Sequence, residues 1–189
     1  MRPTTLGRTL VRPPVRGLLD PQLMAQPKRL SGISYDRLYA YFVTSVTLNR
    51  IKAFDTTDFG PFVVEALIDL GAKFCFEISS YVVMPDHVHF VATAIEDGAD
   101  FKGFVKAWKQ KTGFEWSRRH GRRLWQHGYW ERVLRDNDNA LSLCRYILEN
   151  PVRAGLVEHP IEYSLCGSTQ YTVVEICEAI QTNGWWRKN

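Results

Sequence analysis

Two strand-forming runs separated by only two residues constrain this chain more than any other feature of its sequence. Residues 74–84 and 87–93 are rich in β-branched and aromatic side chains, which suit a pleated, half-buried surface. Pro85 and Asp86 stand between the two runs, and both residue types favour turns. So short a connection can join only antiparallel neighbours. The sequence therefore predicts an antiparallel pair of strands at this point.

Residue spacing predicts the elements around this pair. A run of β formers at Arg37–Leu48 predicts a first strand, and a further strand is expected near Trp130. Apolar residues at helical spacing predict four helices, at Asp58–Gly71, Phe101–His120, Asp138–Glu149 and Val173–Gln181. We expect Asn150-Pro151 to end the third helix. This order predicts an α+β chain of the ferredoxin-like type, in which an antiparallel sheet carries helices on one face and leaves the other free for ligands.

The composition excludes several classes of protein. With 45% hydrophobic and 23% charged residues among 189, the chain has enough apolar material for one core, which excludes disorder for its bulk. No apolar run approaches the roughly 18 to 20 residues that span a bilayer, so we expect no membrane partner. The four cysteines form no C-x-x-C pair, and we expect them to be buried free thiols.

The charge pattern predicts three parts of the chain. Residues 1–34 are expected to form a basic, flexible arm, because they carry six basic side chains, one acid and five prolines. Arginines interrupt the arm's apolar runs, which argues against a secretory signal, and its prolines argue against the helix of a transit peptide. We therefore predict a cytoplasmic protein. Residues 35–170 are expected to form the main domain, and 171–189 a helix and a tail whose Trp185 and Trp186 pack against the protein.

His87 and His89 form the sharpest local feature. Alternate residues of a strand share one face, so the two imidazoles point the same way, with about 6 to 7 Å between their Cα atoms. Neutral ring nitrogens at this spacing can hold one divalent ion and leave positions for another ligand, water and substrate. The alternative is a pair of polar side chains on a solvated face.

Tyr146 and Asn150 lie four residues apart on the third predicted helix and so share one of its faces. A phenol is a poor nucleophile at its usual pKa of about 10, but a metal ion that polarises a neighbouring phosphodiester can compensate. Asn150 would then supply a third metal ligand. The alternative is that Tyr146 belongs to the core and Asn150 caps the helix before Pro151.

Residues 101–135 form a strongly basic segment with only two acids, Glu115 and Glu131. Aromatic side chains are interleaved with its cations, so the segment combines phosphate neutralisation with rings on which unpaired bases can stack. The alternative is a solvated helix with its tryptophans in the core, which we favour for Trp108. The candidate nucleic-acid-binding residues are Lys102, Lys106, Lys109, Lys111, Arg118, Arg119, Arg122, Arg123, Arg132 and Arg135.

Four stretches resemble one known family, in the order in which they occur along the chain. They are Tyr81–Phe90 (YVVMPDHVHF), Trp125–Arg132 (WQHGYWER), Tyr146–Val157 (YILENPVRAGLV) and Glu162–Ser168 (EYSLCGS). The first and third resemble single-tyrosine HUH transposases. The other two narrow the resemblance to REP-associated tyrosine transposases, relatives of IS200-type enzymes. The resemblance spans residues 35–169, and Asp86 departs from it because these proteins more often carry Asn there.

The resemblance implies a chemistry for the site. Tyr146 is expected to be the nucleophile, and His87, His89 and Asn150 the ligands of Mg²⁺ or Mn²⁺. Attack on single-stranded DNA would give a 5′-phosphotyrosyl enzyme and a free 3′-hydroxyl, and the reverse attack would rejoin strands. The implied partner is the REP hairpin, a short imperfect palindrome of bacterial chromosomes. We therefore expect a nucleoid-associated protein whose basic segment binds the hairpin.

Two other functions fit the same residues. The fold and basic surface would also suit a protein that binds hairpin DNA or RNA without cleaving it. Alternatively, His87 and His89 would activate water in a metal-dependent nuclease, with Tyr146 in a structural role. The sequence also leaves undecided whether the protein is a monomer or a homodimer, and whether Tyr146 serves its own chain's histidines or a partner's.

Overall fold

The computed structural model describes residues 39–54, 58–134 and 140–181. Its strands are β1 (Ala40–Val46), β2 (Phe76–Met84), β3 (His87–Ala94), β4 (Trp130–Leu134) and β5 (Cys166–Gly167). Its α-helices are α1 (Phe59–Lys73), α2 (Phe101–His120), α3 (Ala140–Arg153) and α4 (Val173–Gln181). The predicted arm at 1–34, the cation Arg135 and the tail with Trp185 and Trp186 lie outside the described residues. The division into 1–34, 35–170 and 171–189 stays a prediction.

The strands form one antiparallel sheet in the order β4-β1-β3-β2-β5. Strands β2 and β3 pair across Pro85-Asp86 from Met84↔His87 onward, which confirms the predicted hairpin. With α1 between β1 and β2, and α2 between β3 and β4, the first four strands have the ferredoxin-like order. The two-residue strand β5 adds to the β2 edge at Tyr81 and Val82. The predicted α+β fold class is confirmed.

Both faces of the sheet are covered by helices. On one face, side chains such as Tyr41, Val43 and Phe90 pack in a cluster with α1 and α2. On the other, a second cluster joins Phe42, Val82 and Val91 to residues of α3 and α4. The expectation of helices on one face is therefore right for α1 and α2 but wrong for α3 and α4.

The apolar pattern of β2 explains why the second face is covered. Positions Tyr81–Met84 are apolar in succession instead of alternating, and all four are buried. A strand of this kind needs cover on both sides. Ile147 and Leu148 of α3 supply part of that cover and are themselves almost fully buried. The ligand face is thus reduced to the area that α3 and α4 leave accessible.

Helix α3 does not end at Asn150-Pro151, as the sequence predicted, but continues to Arg153 with Pro151 inside it. Proline has no N–H and so cannot bond the carbonyl four residues back, which here belongs to Ile147. The Asn150 side chain compensates, since its Nδ2 donates to the Tyr146 carbonyl at 2.7 Å and reaches the Ile147 carbonyl at 3.4 Å. The side-chain amide thus gives the Ile147 carbonyl a long hydrogen bond in place of the one that Pro151 cannot donate.

The cysteines agree with the sequence expectation of buried free thiols in part. All four thiols are free, with Cys166 and Cys177 buried and Cys75 and Cys144 half-buried. Within the described ranges, no helix combines the length and apolar character needed to cross a bilayer.

Candidate active site

The two histidines lie side by side on the central strand β3 and on the face that α3 covers. His89 pairs with Thr44 of β1 on one side and Val82 of β2 on the other, so it is held between two strands. His87 stands at the hairpin end of the same strand, opposite Val46. The ring centroids are 4.7 Å apart and the rings are nearly perpendicular, at 77°. The pair therefore converges as its spacing predicted.

His89 is a buried, neutral imidazole with one unused nitrogen. It is 2% exposed, and its Nδ1 lies 2.8 Å from Thr44 Oγ1. Burial lowers the pKa of His89 to about 3, and repulsion from His87 acts in the same direction. Nε2 is buried and has no hydrogen-bond partner in the described part of the chain. A buried polar atom without a partner requires an explanation, and a metal ion would provide one.

His87 is oriented by a hydrogen bond to Asp86. The Nδ1 of His87 lies 2.5 Å from Asp86 Oδ1, and Arg50 Nη1 donates to Asp86 Oδ2 at 3.1 Å. The hydrogen bond with His87, followed by that with Arg50, lowers the pKa of Asp86 to about 2. Thr47 holds the backbone of the turn, because both its N–H and its hydroxyl donate to the Asp86 carbonyl at 2.9 Å.

These contacts fit a metal centre. Histidine ligands usually bond an oxygen through the ring nitrogen that does not bind the metal, which fixes the ring. Both Nδ1 atoms have such partners, which leaves the two Nε2 atoms for a cation. In the described residues, no group of three His, Cys, Asp or Glu side chains could hold a metal. Among the described residues, the Asn150 amide oxygen is the candidate for a further protein ligand.

Tyr146 of α3 lies over the histidine face in the same chain. Its ring centroid is 5.8 Å from that of His89 and 6.1 Å from that of Phe42. Burial raises the pKa of the phenol, and the charge of Arg153 opposes this effect. The Arg153 guanidinium lies 5.5 Å from the centre of the Tyr146 ring. A single chain thus brings the predicted nucleophile to its own histidines.

Two ion pairs of Glu149, which were not predicted from the sequence, hold Arg153 beside Tyr146. Glu149 is 8% exposed and accepts from Arg145 Nε at 2.5 Å and Arg153 Nη2 at 2.6 Å. The signal that could have revealed them is the spacing of Arg145, Glu149 and Arg153, each four residues from the next on one helix face. Asn150, the third predicted metal ligand, has its amide nitrogen bonded to its own helix. Its Oδ1 is the atom that could ligate a cation.

The predicted DNA-binding cations fall into groups. Five of them line a groove of about 840 Å³ between α2 and residues 121–129: Lys102, Lys106, Lys109, Arg122 and Arg123. Three others pair with acids: Lys111 with Asp69, and Arg118 and Arg119 with Glu115, Arg119 also with Asp58. Arg132 pairs with Phe42 across β1 and β4, and so lies on the histidine face.

Lys109 holds one wall of this groove in place. Its Nζ donates to the carbonyls of Gln126 and Gly128 and lies 5.5 Å from the centre of the Trp125 ring. Burial lowers the pKa of its ammonium to about 8. Lys109 therefore contributes to the shape of the groove as well as to its charge.

The groove wall reaches the histidine end of the sheet. Gln126 N–H donates to the Val46 carbonyl at 2.9 Å, and Val46 pairs with His87 in the sheet. Thr47 also forms an isolated antiparallel bridge with Trp125. The groove wall at Gln126 is thus close to the end of β3 that carries His87.

Three of the four tryptophans of the basic segment are buried in the core, and the fourth, Trp130, is half-buried against the cluster that contains Phe42. Trp108 is fully buried, which confirms the interpretation favoured for it. Trp116 and Trp125 are buried too, so the expectation that their rings stack on bases is wrong. Trp108 and Trp116 lie on the stripe that α2 buries against the core. Trp125 follows the helix and packs against Trp108 and Phe54.

Acidification should destabilise this fold through His89. The unfolded chain protonates His89 near its usual value of 6.5, whereas the folded chain does so only near pH 3. The unfolded state therefore binds more protons between these values, and stability that is complete above pH 6.5 is lost as the pH falls toward 3. We expect the free energy of unfolding in urea with EDTA to be about 2 kcal/mol lower at pH 5 than at pH 7.

A His89→Gln variant is the control for this pH dependence. The pKa of Asp86 is lowered as well, from 3.8 to about 2, so its contribution is lost only below pH 4 and leaves the comparison at pH 5 unaffected. If the variant shows the same pH dependence as the wild type, His89 is not the responsible group.

Comparison with known proteins identifies the family of the chain that carries this site. Residues 35–150 match the family model described as transposase IS200 like. A REP-associated tyrosine transposase of Escherichia coli (strain K12) is 29% identical over 128 residues, which cover 66% of this chain and 75% of the relative. A solved structure of a REP-associated tyrosine transposase bound to a REP hairpin is similar with a TM-score of 0.58 and 27% identity, over 71% of this chain and 81% of that one. Because the family model matches more than half of its length, this chain belongs to the IS200-like transposase family.

Proposed function

We propose that this protein is a metal-dependent transesterase that nicks and rejoins single-stranded DNA beside REP-type hairpins. The observation that carries the proposal is the contact between the Tyr146 and His89 rings, in a site where His89 Nε2 is buried and unpartnered. A phenol beside two imidazoles oriented for a cation suits phosphoryl transfer to tyrosine. Water-activating nucleases do not require a phenol at that position.

His87 and His89 would hold Mg²⁺ or Mn²⁺ through Nε2, with Asn150 Oδ1 as a further ligand. When bound, the cation supplies Lewis-acid polarisation of the scissile phosphate. Asp86 and Thr44 fix the two rings, so no reorientation of the histidines is needed on binding.

Tyr146 would carry the covalent step. Its oxygen forms a bond to phosphorus while the bond from phosphorus to the 3′ oxygen breaks. The phenol loses its proton, and the departing 3′ oxygen gains one. Arg153, held by Glu149, favours the phenolate by its charge. Because a phosphodiester bond is retained on Tyr146, a 3′-hydroxyl can reverse the step and rejoin the strand without ATP.

The basic groove would bind the hairpin. The similar solved structure is of a protein bound to a REP hairpin, and the groove here presents five cations beside the His87 end of the sheet. Cations of this kind neutralise phosphates without reading sequence. Such a substrate would place the protein at the bacterial nucleoid.

The test is a covalent adduct. Purified protein is incubated with Mn²⁺ and hairpin DNA with single-stranded flanks, labelled on one side of the cut or on the other, and run on a denaturing protein gel. We expect only the fragment 3′ of the cut to migrate with the protein, because its 5′ phosphate joins Tyr146. Cleavage without any adduct would identify a nuclease that uses water. Binding without cleavage would identify a hairpin-binding protein.

Asp86→Asn should weaken metal binding without disturbing the turn. Asparagine keeps a hydrogen-bonding oxygen near His87 Nδ1 but removes the negative charge that makes the imidazole a better ligand. We expect the Kd for Mn²⁺, measured by electron paramagnetic resonance, to rise about 10- to 100-fold. The control is Glu131→Gln on β4, which removes one carboxylate away from the histidines and should leave the Kd for Mn²⁺ unchanged. Equal Mn²⁺ affinity of Asp86→Asn and wild type would show that the carboxylate only caps the turn.

A further inference from the structure

Phe114 is the most exposed of the large hydrophobic side chains in the described residues, at 72%. It lies on α2, on the side opposite the buried stripe that holds Trp108 and Trp116. An exposed phenyl ring keeps apolar surface in contact with water, and removing that surface from water is favourable. A ring in this position therefore suggests contact with a ligand. Exposure alone would not identify that ligand.

The surroundings of Phe114 identify the class of ligand. Phe114 lines the basic groove together with Lys106 of its own helix and with Arg122 and Arg123 of the facing residues 121–129. Gln110 and Ser117, four residues before and three after it, lie on the same exposed helix face and also line the groove. Cations for phosphates, a ring for a base and short polar groups for base edges are together the chemistry of single-stranded nucleic-acid sites.

The bases of fully paired DNA cannot stack on such a ring. In a duplex stem each base is already stacked between its neighbours, so its faces are not available to a side chain. An unpaired base of a loop or bulge has a free face. Of the aromatic residues that line the groove, Trp125 is buried and Tyr129 is half-buried, so Phe114 presents the most exposed ring.

We propose that Phe114 is a stacking platform for an unpaired base, so that the groove recognises a hairpin at its loop or bulge and not only along its stem. This inference rests on the proposed function, because it assumes that the groove binds hairpin DNA. It adds a specificity: at equal charge, hairpins with an accessible unpaired base are preferred over perfect duplexes.

Binding of two probes tests the platform. One probe is a hairpin with 2-aminopurine in its loop, and the other is a blunt duplex of the same length and charge. We expect Phe114→Ala to weaken hairpin binding about 5- to 150-fold, the effect of losing one stacked base. Duplex binding and the salt dependence of hairpin binding should stay unchanged, because no phosphate contact is removed. Phe114→Trp should restore hairpin affinity and quench the 2-aminopurine signal.

Ile95→Ala is the matched control, since Ile95 is also exposed, at 49%, but does not line the groove. The inference is overturned if Phe114→Ala binds the hairpin as the wild type does, or if it loses hairpin and duplex affinity equally. A wild-type protein that binds no hairpin would instead overturn the hairpin step of the proposed function. Circular dichroism of each variant verifies that the exposed substitutions leave the fold intact.

Discussion

Tyr146→Phe should abolish the covalent adduct and leave hairpin binding intact. The substitution removes only the hydroxyl, so the ring contacts with His89 and Phe42 remain and α3 stays packed. Loss of a nucleophile commonly reduces turnover by several orders of magnitude, and we expect cleavage to fall at least about 10⁴-fold. The measurement is the rate of label transfer to protein, with Kd for the same hairpin measured in parallel.

Tyr171→Phe is the control for this prediction. Tyr171 is an exposed tyrosine outside the site, so its variant should form adduct at the wild-type rate. Adduct formation by Tyr146→Phe would show that another residue attacks the phosphate. Loss of cleavage in Tyr146→Phe together with loss of hairpin binding would indicate that the tyrosine acts in binding.

The second large effect is expected from His87→Ala. His87 lies at the end of β3 and is less buried than His89, so truncating it removes one imidazole with less damage to the core. We expect Mn²⁺ affinity to fall at least about 100-fold, because loss of a direct ligand exceeds loss of an outer hydrogen bond. Adduct formation should fall with it, while hairpin affinity in EDTA should not change. Isothermal titration with Mn²⁺ gives the first quantity.

The matched control is His127→Ala, which removes an exposed histidine from the segment beside the groove. It should leave Mn²⁺ affinity unchanged. If His87→Ala binds Mn²⁺ as tightly as wild type, the metal is held elsewhere and the proposed site is wrong. If it loses Mn²⁺ but still forms adduct in EDTA, the reaction does not require the metal.

Local patterns predicted most of the elements correctly because their causes are local. Helix α2 has the predicted bounds of Phe101–His120, since Asp100 caps it through the Gly103 N–H and Gly121 ends it in a left-handed conformation. The hairpin at Pro85-Asp86 follows from turn chemistry, and the shared face of His87 and His89 from strand alternation. The end of α3 was mispredicted because an Asn150 side chain compensated for Pro151, an interaction that residue preferences do not express.

The sequence by itself determined the α+β class, the order of the four helices and the first four strands, and the residue types of the candidate site, because these depend on side-chain periodicity and on motifs read along the chain. Only the tertiary structure decided which face each helix covers, that Arg50 reaches Asp86 from 36 residues away, and that Phe114 and not a tryptophan is exposed in the groove. These outcomes depend on which apolar surfaces bury against each other and on contacts between residues distant in sequence. Such contacts form only when the sheet has assembled, so the local sequence around each residue does not predict them.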